Sequence, residues 1–192
     1  MKYNITVSHE ARFIWYRVAK VGTRTILAHL RDSPLSLDIE QGFALTPNPE
    51  IRDSYFSFGF VRNPWERLVS CYQNKIIDGG PGLYLGALGN PKGFQAFVEA
   101  VVAKDLHACN PHIRLQSALL DLNTIKFVGR YERFAQDLRQ IFATLDIPLE
   151  EIQTHNASGG GKNFRSHYTP KLVDLVSDAY KRDIQIFGYS FE

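Results

Sequence analysis

Cysteine is scarce in this chain of 192 residues. Cys71 and Cys109 are the only two, which excludes a disulfide framework and leaves no repeated Cys-x-x-Cys spacing for structural zinc. That usage predicts a reducing, cytoplasmic setting. An excess of one charge is also missing. Lys and Arg number 22 against 20 Asp and Glu, and a net charge of +2 is too small for nonspecific binding to nucleic acid or to a membrane surface. Any anionic ligand must therefore be met by a few placed cations. Long apolar runs are absent too: no stretch approaches the ~20 residues of a membrane-spanning helix. Ser8, His9, Glu10 and Arg12 interrupt the N-terminal region before a secretion signal could form. Disorder is excluded by a composition that is 44% hydrophobic and 22% charged. A chain of this length can bury roughly 70% of its unfolded surface. With no internal repeat and no linker in view, residues 1–192 are expected to form a single domain.

The first clear element is the β-branched and aromatic run Phe13–Val18, a buried strand. It runs into Ala19-Lys20-Val21-Gly22 and then into a helix with Ile26, Leu27 and Leu30 on one side, ending before Ser33-Pro34. Residues 33–53, with prolines at 34, 47 and 49, read as a surface connection. A second strand over Ser54–Val61 leads into a helix start with Asn63 as N-cap, Pro64 at the first helical position and Glu66 closing a capping box. That helix should reach about Ile77. Beyond the glycine-rich stretch from Gly79 to Gly89, Phe94, Phe97, Val98, Val101 and Val102 mark a core-facing helix. A helix is expected around His112–Leu120, a third strand over Thr124–Val128, and an amphipathic helix through Phe134, Leu138, Ile141 and Phe142. His155–Tyr168 reads as a basic loop, and Thr169-Pro170 opens the last helix. Strands alternating with helices predict an α/β domain with a central, mainly parallel sheet.

Ligands of such sheets sit beyond the carboxyl ends of the strands. Lys20 and Gly22 fall there, at a helix N-terminus whose N–H groups and dipole favour an anion. Arg62 falls at the end of the second strand, with Ser70 about two turns into the following helix. Alone, each has a plainer reading: the first loop as an ordinary helix start, and Arg62 as the partner of Glu66 or Asp53. The triphosphatase pattern G-x-x-x-x-G-K-[ST] is absent.

These residues carry a resemblance. Ala19-Lys20-Val21-Gly22-Thr23-Arg24-Thr25 resembles the Pro-Lys-x-Gly/Ala-x-x-Ser phosphosulfate loop of the sulfotransferases. Phe60–Tyr72 resembles their Val-Arg-Asp-Pro-aromatic-Glu-Arg-Leu-x-Ser-x-Tyr loop. His112 with Gln116, Phe127-Val128-Gly129-Arg130-Tyr131-Glu132 with Asp137-Leu138, and Asp183 with Phe187-Gly188-Tyr189 continue it in order, closest to the carbohydrate and membrane-associated branch. Ala19 replaces the usual proline and Asn63 the usual aspartate.

The resemblance implies a three-layer, P-loop-like fold related to nucleotide kinases. It also implies transfer of a sulfuryl group from 3′-phosphoadenosine 5′-phosphosulfate, without a metal, to a hydroxyl of a carbohydrate or other small acceptor. Lys20, the backbone of Gly22, Thr23 and Arg24, and the hydroxyl of Thr25 would hold the phosphosulfate. Arg62 and Ser70 would hold the 3′-phosphate. Arg130, or a basic residue between Lys162 and Arg165, would close over the nucleotide. A histidine suits the proton transfer: His112 is the first candidate for the base and His107 the second, with Glu50 and Asp53 behind them. A metal site in the His107–His112 loop is the weaker reading, since three potential ligands lack a fourth. Trp65, Tyr72, Tyr180, Phe187 and Tyr189 are expected to pack in the core, as is Cys71. Two alternatives stay open: a metal-dependent nucleotide kinase, and a catalytically silent 3′-phosphonucleotide-binding module.

Overall fold

In the computed structural model, which describes residues 1–79, 88–89, 91–149, 151–152 and 163–192, the elements follow as β1 (Tyr3–Ser8), β2 (Phe13–Tyr16), α1 (Thr23–Asp32), β3 (Ile39–Leu45), α2 (Pro49–Ser54), β4 (Phe56–Val61) and α3 (Pro64–Tyr72). They continue as α4 (Phe94–Val102), β5 (Phe127–Arg130), α5 (Phe134–Thr144), α6 (Pro170–Ala179) and α7 (Lys181–Phe187). The fold is mixed α/β. The chain divides into two units: Met1–Val61 with the described residues of Leu119–His155, and Arg62–Ala118 with the described residues of Asn156–Glu192.

The first unit is built on a sheet of order β3-β1-β2-β4-β5. β2, β4 and β5 are parallel, while β1 runs antiparallel to both β2 and β3. Four strands therefore point one way, as a mainly parallel sheet requires, and β1 alone opposes them. On one face Trp15 stacks on Phe58 with centroids 6.1 Å apart, and Phe60 meets Phe134 of α5 at 5.2 Å. On the other, Leu120 and Ile125 lie over Gly59, where a Cβ would come within 2.5 Å of Leu120 Cδ2. Buried Ile26, Leu27 and Leu30 dock α1 as their spacing predicts, and Leu138, Ile141 and Phe142 dock α5.

The surface connection expected over 33–53 is corrected: it holds β3 and α2. β3 is mostly exposed and its strand character comes from pairing with β1, a partner more than 30 residues earlier. Side-chain alternation, the local signal of a strand, is weak on such an edge. The helix expected over His112–Leu120 is corrected too. Only a 3-10 turn at Gln116–Ala118 is present, preceded by turns.

The second unit packs α3, α4, α6 and α7 around Trp65, Leu68, Phe97, Val98, Val101, Leu172, Val176 and Tyr180. α3 is buried along its whole length and continues as a π-helical turn over Gln73–Ile77, so the helical run does reach Ile77. Cys71 and Tyr180 are fully buried core residues, and Trp65 and Tyr72 belong to the same cluster. The last helix is interrupted at Tyr180, and α7 ends on Gly188 with φ 63°, the left-handed stop that glycine permits. The middle of the glycine-rich stretch and most of the basic loop, Lys162 included, lie outside the described residues. Among the described residues no helix is long and apolar enough to cross a membrane.

Candidate active site

In the first unit, the turn after β2 has an unusual backbone. Lys20 has φ 72° and Gly22 has φ 83°, two left-handed residues flanking Val21. A left-handed lysine is strained, and the surroundings must hold it there. The Thr23 hydroxyl donates to Val18 O at 2.7 Å, tying the helix start back to the strand end. α1 has no side-chain N-cap and no acidic residue in its first turn. Its first intrahelical bond runs from Ile26 N–H to Gly22 O at 3.1 Å, so the N–H groups of Thr23, Arg24 and Thr25 come before any helical acceptor. The helix end is electropositive, and Lys20 adds a full charge beside it. Thr25 is buried, Arg24 exposed, and Lys20 half-buried.

Arg130 ends β5, opposite Val61 of β4. Its N–H donates to Asp137 Oδ2 at 2.7 Å, and the same carboxylate lies 3.5 Å from Arg133 Nη2. Asp137 thus shapes the turn that positions Arg130. Glu50 and Asp53 are exposed on α2, and the hydrogen bond from Arg52 holds the Asp53 carboxyl below its usual range, which weakens it as a base.

In the second unit, Arg62 is buried and its Nη2 donates to Glu66 Oε1 at 2.9 Å. The plainer reading of Arg62 is therefore realised. Asn63 caps α3, its Oδ1 accepting from the N–H of Trp65 and Glu66. Ser70 is buried within α3. Gln116 grips the strand end through two bonds, accepting from Arg62 N–H at 2.9 Å and donating to Arg62 O at 2.8 Å. Asp183 in turn accepts from the N–H groups of Gln116 and Ser117 at 2.6 and 2.9 Å. These matched positions form one buried polar lattice behind Arg62.

The same unit holds the loop of His107 and His112. Arg67, 1% exposed, donates to Pro111 O and Arg114 O, both at 2.8 Å. Arg114 donates to Cys109 O and Ala108 O, and the Tyr180 hydroxyl to Ile113 O. The loop is irregular in backbone yet held carbonyl by carbonyl. Sequence reasoning assigned no role to Arg67, Arg114 or the Tyr180 hydroxyl; only the family-like position of Arg67 pointed their way. Burial lowers the Arg67 pKa and raises those of Tyr180 and Cys109.

Asn110 Oδ1 lies 3.0 Å from His112 N and 2.8 Å from His112 Nδ1. An oxygen that already accepts the backbone N–H also accepts from Nδ1, so the proton is assigned to Nδ1 and the lone pair to Nε2. That is the tautomer a base requires. His107 is exposed on the same loop. Among the described residues, no group of three or more His, Cys, Asp and Glu is placed to hold a metal ion. Arg165 is exposed, donates from Nε to Phe191 O at 3.1 Å and lies over the Phe164 ring.

The sulfotransferase family model matches residues 3–190. The chain belongs to the sulfotransferase family. It is similar to carbohydrate sulfotransferase 14 from Homo sapiens, at 27% identity over 97% of this chain and 60% of that protein. It is also similar to carbohydrate sulfotransferase 14 from Danio rerio, at 26% identity over 97% and 62%. The chain spans about three fifths of these curated relatives. No solved structure matches. The cytoplasmic setting expected from cysteine usage is corrected by these carbohydrate sulfotransferase relatives. Two cysteines are compatible with more than one compartment, so the count could not carry a location.

Proposed function

We propose that this chain transfers a sulfuryl group from 3′-phosphoadenosine 5′-phosphosulfate to a hydroxyl of a carbohydrate, as one sulfotransferase domain over residues 1–192 with a three-layer, P-loop-like core. The observation that carries the proposal is the turn Lys20–Thr25, with its two left-handed residues and its helix end lacking both side-chain cap and acid. Family membership supplies the chemistry, and the relatives' names supply the acceptor class.

The residue roles follow from charge and proton balance. As the acceptor oxygen bonds to sulfur, the sulfur–oxygen bond to phosphate breaks, and negative charge grows on the departing phosphate oxygen. Lys20 and the N–H groups of Gly22, Thr23 and Arg24 neutralise that charge, with the Thr25 hydroxyl completing the cradle. His112 Nε2 takes the acceptor proton, its tautomer held by Asn110. Arg62 and Ser70 bind the 3′-phosphate. Because Arg62 already holds Glu66, the phosphate shares the guanidinium with that carboxylate. Arg130, and less directly Arg165, are the remaining cations of the nucleotide site.

The test has two stages. Thermal stabilisation by 3′-phosphoadenosine 5′-phosphate without magnesium is expected, and stronger stabilisation by ATP with magnesium would refute the donor assignment. Transfer of labelled sulfate to saccharides is then expected, and Lys20→Ala should abolish it. Binding of the nucleotide without transfer to any saccharide, unchanged by Lys20→Ala, would instead identify a silent module.

A further inference from the structure

β3 ends in a feature that the nucleotide chemistry does not use. Tyr3 pairs with Leu45 and Ile5 with Gly42, so β3 spends one residue more than β1 over this interval, which is a β-bulge. Ala44 in the bulge has φ 52°, a conformation costly for a residue with a Cβ, and its N–H is held by Asn4 Oδ1 at 3.1 Å. The residue displayed by this strained turn is Phe43, 67% exposed, the one aromatic among the exposed large hydrophobics of the described residues.

The ring is nonetheless anchored. The Arg17 guanidinium lies 5.1 Å from its centroid. Arg17 is buried, donating from Nη1 to Gln41 Oε1 at 3.3 Å and from Nη2 to Gly42 O at 3.0 Å. One side of the ring rests on a fixed cation while most of its surface is left to solvent. Leaving an anchored aromatic ring so exposed forgoes its burial free energy.

Position in the sheet supplies the ligand class. β3 points the same way as β2, so Phe43 and the Lys20 turn both lie toward the carboxyl ends of their strands. Only β1 separates β3 from β2, a lateral offset of about 10 Å, the reach of a short saccharide. Resting on the sulfotransferase reading above, we propose that Phe43 is a stacking platform for a pyranose ring of the carbohydrate acceptor, with Arg17 as the residue that positions it. The C–H face of a sugar is apolar and weakly positive and matches the negative face of an aromatic ring, while the exposed Gln41 side chain offers polar contacts at the rim.

The test measures binding by saturation-transfer NMR with unsulfated chondroitin, hyaluronan and maltoheptaose oligosaccharides, in the presence of 3′-phosphoadenosine 5′-phosphate. Wild type should bind at least one of them. Phe43→Ala should weaken that affinity about tenfold or more, Phe43→Trp should retain it, and nucleotide affinity should stay constant in both. Arg17→Met should weaken glycan binding alone but add nothing in the Phe43→Ala background, while Arg17→Lys restores part of it. For a glycan that accepts sulfate, the Phe43→Ala loss should appear in KM and not in kcat. Unchanged glycan affinity in Phe43→Ala would overturn the platform. So would binding of none of the probes by wild type, or a wild-type dimer that Phe43→Ala turns into monomer, which would assign the ring to self-association. Glycan binding that depends on Phe43 without sulfate transfer would leave the platform standing and refute the sulfotransfer reading.

Discussion

Gly22→Ala tests whether the turn Lys20–Thr25 is held in one conformation from both sides. At φ 83° an alanine sits in the left-handed region, at about 1–2 kcal/mol. Its Cβ would also come within 2.5 Å of Phe134 Cε2 and 2.9 Å of Cζ. Phe134 is backed by Phe60 at 5.2 Å and Tyr131 at 5.8 Å, so relief requires a shift in packed aromatics, at about 1–3 kcal/mol. The sum, roughly 2–5 kcal/mol, is a large share of the stability of an ordinary domain. At about 2–4 °C per kcal/mol for a chain of this size, Tm should fall by roughly 4–20 °C. Thermal denaturation of Gly22→Ala, Phe134→Ala and the double variant separates the two contributions. The clash disappears once the ring is gone while the dihedral cost stays, so Gly22→Ala should cost about 1–3 kcal/mol less in the Phe134→Ala background. Strict additivity would refute the steric part, and a Gly22→Ala protein with wild-type Tm would refute both.

Asp183→Ala strips the acceptor from two buried N–H groups, those of Gln116 and Ser117. It should cost roughly 2–6 kcal/mol in chemical denaturation, at about 1–3 kcal/mol per orphaned donor. Asn110→Ala releases the His112 tautomer; kcat should drop about tenfold or more, with nucleotide affinity unchanged by calorimetry. Burial, followed by the nearby Asp121 charge, pushes the Tyr16 phenol from 10.0 up to about 12. The neutral form is thus favoured in the folded state. Its contribution is complete below pH 10 and is lost as pH rises toward 12, so denaturation midpoints should fall across that window, less steeply in Tyr16→Phe. Asn63→Ala removes the cap on Trp65 and Glu66 N–H and should lower stability by about 1 kcal/mol.

Local chemistry made some elements legible. Phe13–Tyr16 is short, apolar and β-branched or aromatic, and Asn63-Pro64-Trp65-Glu66 concentrates the helix-start signals in four residues. The strand lies within the expected Phe13–Val18, ending two residues earlier at Tyr16, and the helix starts at Pro64 as expected. β1 did carry a local signal, since Tyr3, Ile5 and Val7 alternate with polar residues and the strand pairs with the adjacent β2 in a hairpin. β3 escaped because it alternates poorly, is mostly exposed and exists through pairing with a segment more than 30 residues earlier. The His112 segment misled for the opposite reason. His112, Leu115, Leu119 and Leu120 suggest a helical stripe, yet Arg67, Arg114 and Tyr180 satisfy the loop's carbonyls one at a time, so no helix is needed to bury them.

Scarce cysteine and balanced charge determined, from the sequence alone, that this chain lacks a disulfide framework and must meet an anion with a few placed cations. Lys20 before Gly22 and Arg62 before Asn63-Pro64 mark the candidates proposed for that role, because a strand end followed by a helix start is written in adjacent residues. Their states were decided by tertiary structure. The left-handed backbone at Lys20, the Glu66 carboxylate on Arg62, the Asn110 oxygen that sets the His112 tautomer and the Arg17 guanidinium under Phe43 are settled by dihedral strain and by partners that composition and spacing do not assign. Sequence separation carries little information about which buried donor finds which acceptor; folding makes that choice.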